Sequence, residues 1–166
     1  MEYAKRKRNR IPEYDYSSPG AYFVTICARG RKNIFGHIVG GGALDAPQMQ
    51  LSEKGKVVEK NLLSGNQVAG ICLDKYVIMP NHIHFILLIS GNGASWAPPP
   101  IGTPANALLP HYVSTLKRFS NRDAGEELFQ RSYHDHVIRG DADYQRIWEY
   151  IDTNPAKWEN DCFYTK

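Results

Sequence analysis

The run ICLDKYVIMPNHIHFILLIS spans residues 71–90. It holds two apolar, β-branched stretches separated by Met79-Pro80-Asn81. Proline lacks the N–H that a sheet ladder needs, and Pro-Asn favours a turn or bulge, so the run is expected to form two strands, about 74–79 and 82–89. The two need not form a tight hairpin. Residues two apart on a strand share a face. His82 and His84 therefore stand side by side, while Ile83 and Phe85 point into the opposite layer. Paired imidazoles on a rigid strand suit a divalent metal, provided the ring nitrogens are neutral. Two surface histidines on a polar strand face would give the same pattern, but the apolar run Phe85 to Ile89 mounts this pair on a buried element.

Working outward, Ala21 to Ala28 (AYFVTICA) follows a Pro-Gly turn and is β-branched and aromatic, which predicts a strand. Tyr22, Val24 and Ile26 would face one way, and Phe23, Thr25 and Cys27 the other. Residues 34–39 suit a second short strand, and Gly40 to Pro47 a loop or hairpin tip. Ser52 to Leu63 predicts a helix with Ser52 as its N-cap. Residues 91–106 are rich in Gly and Pro and are expected to be a long loop within one domain. Ala107 to Asn121 predicts a helix with Pro110 in its first turn. Phe129 to Ile138 predicts a strand, and Asp141 to Thr153 a helix ended by Asn154-Pro155. The order β, β, α, β, β, α, β, α points to an α+β fold with an antiparallel sheet and helices on one face. There is no glycine-rich phosphate loop, which argues against a parallel nucleotide-binding sheet.

The chain has 166 residues, 42% of them hydrophobic, enough for one domain with a real core. No stretch approaches the ~20 apolar residues of a membrane span, so no membrane partner is expected. The cysteines, Cys27, Cys72 and Cys162, are odd in number and far apart, which fits a reducing cytoplasmic setting better than a disulfide framework. The net charge of +3 is modest, but its distribution is uneven. Of 20 Lys and Arg and 17 Asp and Glu, five bases and one acid lie in residues 1–10, leaving 15 and 16 for the rest. The segment 1–20 reads as a basic extended arm on a near-neutral body at 21–160. Its Lys5, Arg6, Lys7, Arg8 and Arg10, with Lys117, Arg118, Arg122, Arg131 and Arg146, could track nucleic-acid phosphates or simply face solvent.

Tyr150 and Asn154 lie four apart on one flank of the last helix, which Arg146 shares. A tyrosine at the edge of an apolar stripe is commonly a core residue, but it can also be a nucleophile. With a phenol pKa near 10, attack needs a base or a nearby cation. A tyrosine that attacks a phosphodiester conserves the broken bond as a phosphotyrosyl link. Asn154 could offer a carbonyl oxygen as a third metal ligand. His134 and His136 form a second, competing His-x-His pair, and Tyr144 and Tyr133 compete for the nucleophile's role.

Together these residues resemble a known family. Tyr76 to Ile89 resembles the HUH motif region of the single-tyrosine insertion-sequence transposases, in which two histidines flank a bulky apolar residue. The segment FQRSYHDHVIRGDADYQRIWEYIDTNPAKW, residues 129–158, resembles the C-terminal signature of the REP-associated tyrosine transposases, and Tyr14 to Ala28 their first strand and its lead-in. The resemblance implies a ferredoxin-like fold, often as a homodimer. It implies His82, His84 and Asn154 as ligands of Mg²⁺ or Mn²⁺, with Asn154 where related enzymes carry Gln, and Tyr150 as nucleophile. The implied activity is cleavage and rejoining of single-stranded or hairpin DNA through a 5′-phosphotyrosyl intermediate. A nucleic-acid-binding protein without catalysis, and a metal-dependent phosphodiesterase without a covalent step, are the rival readings.

Overall fold

The structure is a computed structural model that describes residues 18–42, 46–65, 70–90 and 108–165. Residues 1–17 of the basic arm, with Lys5, Arg6, Lys7, Arg8, Arg10 and Tyr14, and the loop at 91–106 lie outside the described residues. Four strands form one antiparallel sheet: β1 (Gly20–Cys27), β4 (Ile71–Met79), β5 (His82–Ile89) and β6 (His134–Ile138), in the order β4-β5-β1-β6. The two strands expected around Pro80 are both present. They form a tight hairpin, with Met79 paired to His82 across Pro80-Asn81. β5 occupies an inner position and is buried on both faces, which is why its sequence is apolar almost throughout instead of alternating.

Parity along the strands divides the interior into two cores. Ile83, Phe85, Leu87 and Ile89 join Tyr22, Val24 and Ile26 in the larger one. Helices α1 (Glu53–Ser64) and α2 (Leu108–Ala124) cover that face through Val58 and Leu62, and through Leu109, Tyr112, Val113 and Leu116. The α2 set falls at the i, i+3, i+4, i+7 spacing of one helix face. Helix α3 (Asp141–Thr153) packs on the other face, where Ile147 and Ile151 meet Ile86 of β5. The α+β antiparallel architecture is as expected, with the last helix added on the sheet's second face.

Local departures have local causes. β4 has a register shift between Leu73 and Lys75, which keeps Ile71, Leu73 and Ile78 all in the larger core. Ser52 caps α1 as expected, its Oγ accepting from Gly55 N at 3.1 Å. α2 runs three residues beyond the expected Asn121 and ends at Gly125, whose φ of 71° is the left-handed conformation common after a helix. The segment 129–138 does not form one strand. Phe129 makes an isolated bridge to Ala28, and the carbonyls of Gln130, Arg131 and Ser132 accept from Lys117 Nζ instead of a neighbouring strand. β3 (Gln48–Leu51) pairs with β2 (Gly36–Val39) in a separate two-stranded ribbon. The polar QMQL sequence of β3 gives no strand signal by itself. Among the described residues no helix is long and apolar enough to cross a membrane.

Ile151 is 1% exposed and is a main anchor of α3. Ile151→Ala is expected to destabilise the protein by about 2–5 kcal/mol. Urea unfolding measures this, and a change much smaller than that range would mean α3 is held by other contacts.

Candidate active site

The second face of the sheet builds a polar site at the start of β5. His82 is fully buried and His84 is 1% exposed, with ring centroids 4.4 Å apart. His82 Nδ1 lies 2.8 Å from Asn81 Oδ1. Asn81 Nδ2 faces three acceptors, Arg31 O, Phe163 O and Thr165 Oγ1. The amide orientation is thereby set, so Oδ1 is the acceptor and His82 must donate from Nδ1. The lone pair of His82 then lies on Nε2, which is buried and has no hydrogen-bond partner. His84 Nδ1 lies 2.8 Å from Thr25 Oγ1, its cross-strand partner on β1.

α3 brings Tyr150 and Asn154 to these histidines. Tyr150 Oη is 3.2 Å from His84 Nε2, and it donates to Asp161 Oδ2 at 3.0 Å. Asn154, 2% exposed, donates from Nδ2 to the same Asp161 oxygen at 2.9 Å, and its own Oδ1 is buried without a partner. Phe23 stacks on His84 at 5.2 Å, and Phe163 lies 4.6 Å from the His82 ring. Burial comes first in holding His82's pKa down, to about 4, with Arg31 adding to it and Asp161 opposing it. Burial and then the His82 charge push His84 well below its ordinary value. Both rings are therefore neutral at pH 7, the form that ligates metals. Tyr150 is pushed up, by burial and by the Asp161 carboxylate.

His82, His84 and Asp161 each offer a ligand atom within 4.8 Å of the others. Two neutral imidazoles, a carboxylate and an unpartnered amide oxygen make a mixed nitrogen and oxygen set that fits a divalent cation. Asp161 was not legible in the sequence. It follows the 3-10 turn Pro155–Asn160, and no spacing pattern ties it to the histidines. Its role, like that of Asn81, is visible only once the C-terminal segment folds back over the sheet.

The other expected residues go elsewhere. His136 Nε2 bonds Asp143 at 2.8 Å and His134 is exposed; among the described residues this pair is in no ligand group of three. Tyr144 Oη donates to Asp74, and Tyr133 packs against the larger core, on the face opposite the histidines. Arg146 pairs with Asp143 at 2.6 Å, and Arg122 with Asp123 at 2.7 Å. Arg118 lies over Phe119, and Arg131 is exposed. Lys117 is half-buried against the 130–132 carbonyls, and desolvation lowers its pKa to about 8. It acts as an internal tie more than as an outward phosphate contact.

No family model matches the chain. It is 34% identical over 176 residues to a Haemophilus influenzae protein described as uncharacterized, covering 96% of this chain and 93% of that protein. Among solved structures it is similar to the REP-associated tyrosine transposase bound to a REP hairpin. The TM-score is 0.59 at 17% identity, over 95% of this chain and 74% of that one. This similarity shows a shared fold.

The buried histidines also predict a pH dependence for the metal-free protein. His82 binds its proton more weakly in the folded state (pKa about 4) than in the unfolded chain (6.5). Between these values the unfolded state holds more protons, so stability falls as pH drops through that window. The midpoint of thermal unfolding is expected to fall from pH 6.5 to pH 4, and less steeply in His82→Gln. Equal slopes in the two proteins would contradict the assignment.

Proposed function

We propose that this chain, which belongs to one family with the Haemophilus influenzae protein, cleaves and rejoins single-stranded DNA through Tyr150, as a transposase-like enzyme. The carrying observation is that Tyr150 Oη, His84 Nε2 and Asp161 Oδ2 meet within hydrogen-bond distance beside the unpartnered His82 Nε2. The similar structure holds a REP hairpin, which supports hairpin DNA as the substrate class. His82 and His84 would hold Mg²⁺ or Mn²⁺, with oxygen donors from Asp161 or Asn154. A divalent cation bound there supplies Lewis-acid polarisation of a phosphate oxygen and cancels the Asp161 charge that opposes a Tyr150 phenolate.

The protein's own groups do the rest. Phe23 and His84 flank the Tyr150 ring and fix its direction. Asn154 Nδ2 holds the Asp161 carboxylate in reach of the hydroxyl. In the reaction, Tyr150 Oη bonds to phosphorus and the P–O3′ bond breaks. The tyrosine proton passes to Asp161 Oδ2, the acceptor it already touches, and Asp161 hands the same proton on to the departing 3′ oxygen, which leaves as a free 3′-OH. The 5′-phosphotyrosyl link keeps the bond energy, so attack by a 3′-OH rejoins the strand. A homodimer, as the family resemblance implies, belongs to the same proposal.

The test is a denaturing gel of protein incubated with Mn²⁺ and a pool of labelled hairpin oligonucleotides. Wild type is expected to form a covalent adduct and Tyr150→Phe none. His82→Ala is expected to lose on the order of 10³-fold in rate, the several kcal/mol that a Lewis acid contributes. An adduct in Tyr150→Phe would overturn the nucleophile. Nicking without an adduct would indicate a phosphodiesterase, and binding without either would indicate a binding protein.

The basic arm carries a separate expectation. Removing residues 1–10 should weaken DNA binding and flatten its salt dependence, while chemistry on bound DNA persists. Gel shifts across a salt series measure this, and an unchanged slope would assign the arm to solvent.

A further inference from the structure

The turn after β1 carries a cation that the chemistry above does not use. Arg31 ends the 3-10 turn Arg29–Arg31 with a φ of 53°, and among the described residues it is the non-glycine residue with positive φ. A side chain disfavours this conformation, so the surroundings must impose it. Arg31 N donates to Ala28 O at 3.0 Å. Arg31 O accepts from Asn81 Nδ2 at 3.3 Å and from Thr165 Oγ1 at 3.4 Å. The residue is thus pinned to the same amide that orients His82, and to the segment that carries Asp161.

Its guanidinium lies near a ring that borders the site. Arg31 Cζ lies 5.4 Å from the centre of the Phe163 ring, which in turn lies 4.6 Å from the His82 ring. Among the described residues, Arg29 pairs with Glu127, Arg122 with Asp123 and Arg146 with Asp143, whereas Arg118, Arg131 and Arg139, like Arg31, have no carboxylate partner. Among the described residues no carboxylate lies within 4.0 Å of Arg31. A cation that borders the tyrosine site and has no carboxylate within 4.0 Å among the described residues is available to an anionic ligand.

We propose that Arg31 binds a DNA phosphate at this site, its guanidinium holding nonbridging oxygens of the strand presented to Tyr150. A planar guanidinium makes two parallel hydrogen bonds to a phosphate, which fixes orientation as well as charge. The inference rests on the reading of the site as DNA-cleaving, and it adds the residue that positions the backbone.

The experiment is fluorescence anisotropy of a short labelled oligothymidylate with full-length protein and Mn²⁺ across a salt series. Arg31→Ala and Arg31→Gly are expected to lower the slope of log affinity against log salt by about 0.7, one single-strand phosphate. Glycine suits the positive φ, so Arg31→Gly guards against a folding defect. Arg31→Lys should keep the slope but lose the paired geometry, slowing adduct formation on hairpin substrate. A slope unchanged from wild type in both Arg31→Ala and Arg31→Gly overturns the proposal, as does a wild type with no affinity for the strand. Absence of an adduct with wild type would instead refute the cleavage reading, whatever the slopes show.

Discussion

The side chain of Asn81 is the constraint on which the site depends. It sits in the β4–β5 turn, 1% exposed, where an amide without partners would be costly. Its oxygen fixes which nitrogen of His82 carries the proton. Its nitrogen reaches the carbonyls of Arg31 and Phe163 and the hydroxyl of Thr165. One residue thus joins three pieces of chain far apart in sequence: the turn after β1, the histidine strand and the C-terminal segment. Removing the amide would free the tautomer of His82 and loosen the segment that brings Asp161 to Tyr150.

The electrostatics of the site follow from that assembly. Burial keeps both imidazoles neutral, so the negative charge within hydrogen-bond reach of the tyrosine is that of Asp161. That charge organises the site by accepting from Tyr150 and Asn154, and it opposes ionisation of the tyrosine it holds. A site that stabilises the neutral phenol in this way needs positive charge to become reactive. The unpartnered His82 Nε2 and Asn154 Oδ1 are where such charge has donors waiting. The same atoms are a cost to the protein without a cation, since a buried acceptor with no donor loses its hydration for nothing.

The sequence was informative where one local pattern determines one local structure. Pro80-Asn81 with flanking β-branched runs specified the hairpin, and the i, i+2 rule placed His82 and His84 on one face. Ser52 capped its helix because a hydroxyl there satisfies a free N–H. It was uninformative where distant segments compete for the same groups. Lys117 read as an exposed base, yet it satisfies three carbonyls and so ends the strand expected at Phe129. Asp161, Thr25 and Arg31 carry no signature, because their roles come from cross-strand register and the return of the tail. The Tyr150 and Asn154 spacing was readable as a shared helix flank, whereas the side of the sheet on which that helix lands was not.

The two faces of the sheet divide the labour of the fold. α1 and α2 bury the larger core on one face. α3 covers the other face with only Ile147 and Ile151 fully committed to packing against Ile86. Tyr144 packs beside them, while Tyr150 and Asn154, at the helix's C-terminal end, direct polar atoms to the site. A helix held by a small core can carry groups whose arrangement is poor for stability, such as a buried amide oxygen without a donor. β5 links the two faces, because alternate residues of one strand serve the core and the site. The histidines are consequently as rigid as the core strand they share, while the tyrosine and the carboxylate arrive on elements with less apolar anchorage. Such a division lets a small domain keep the histidine pair fixed and still leave the groups around it adjustable.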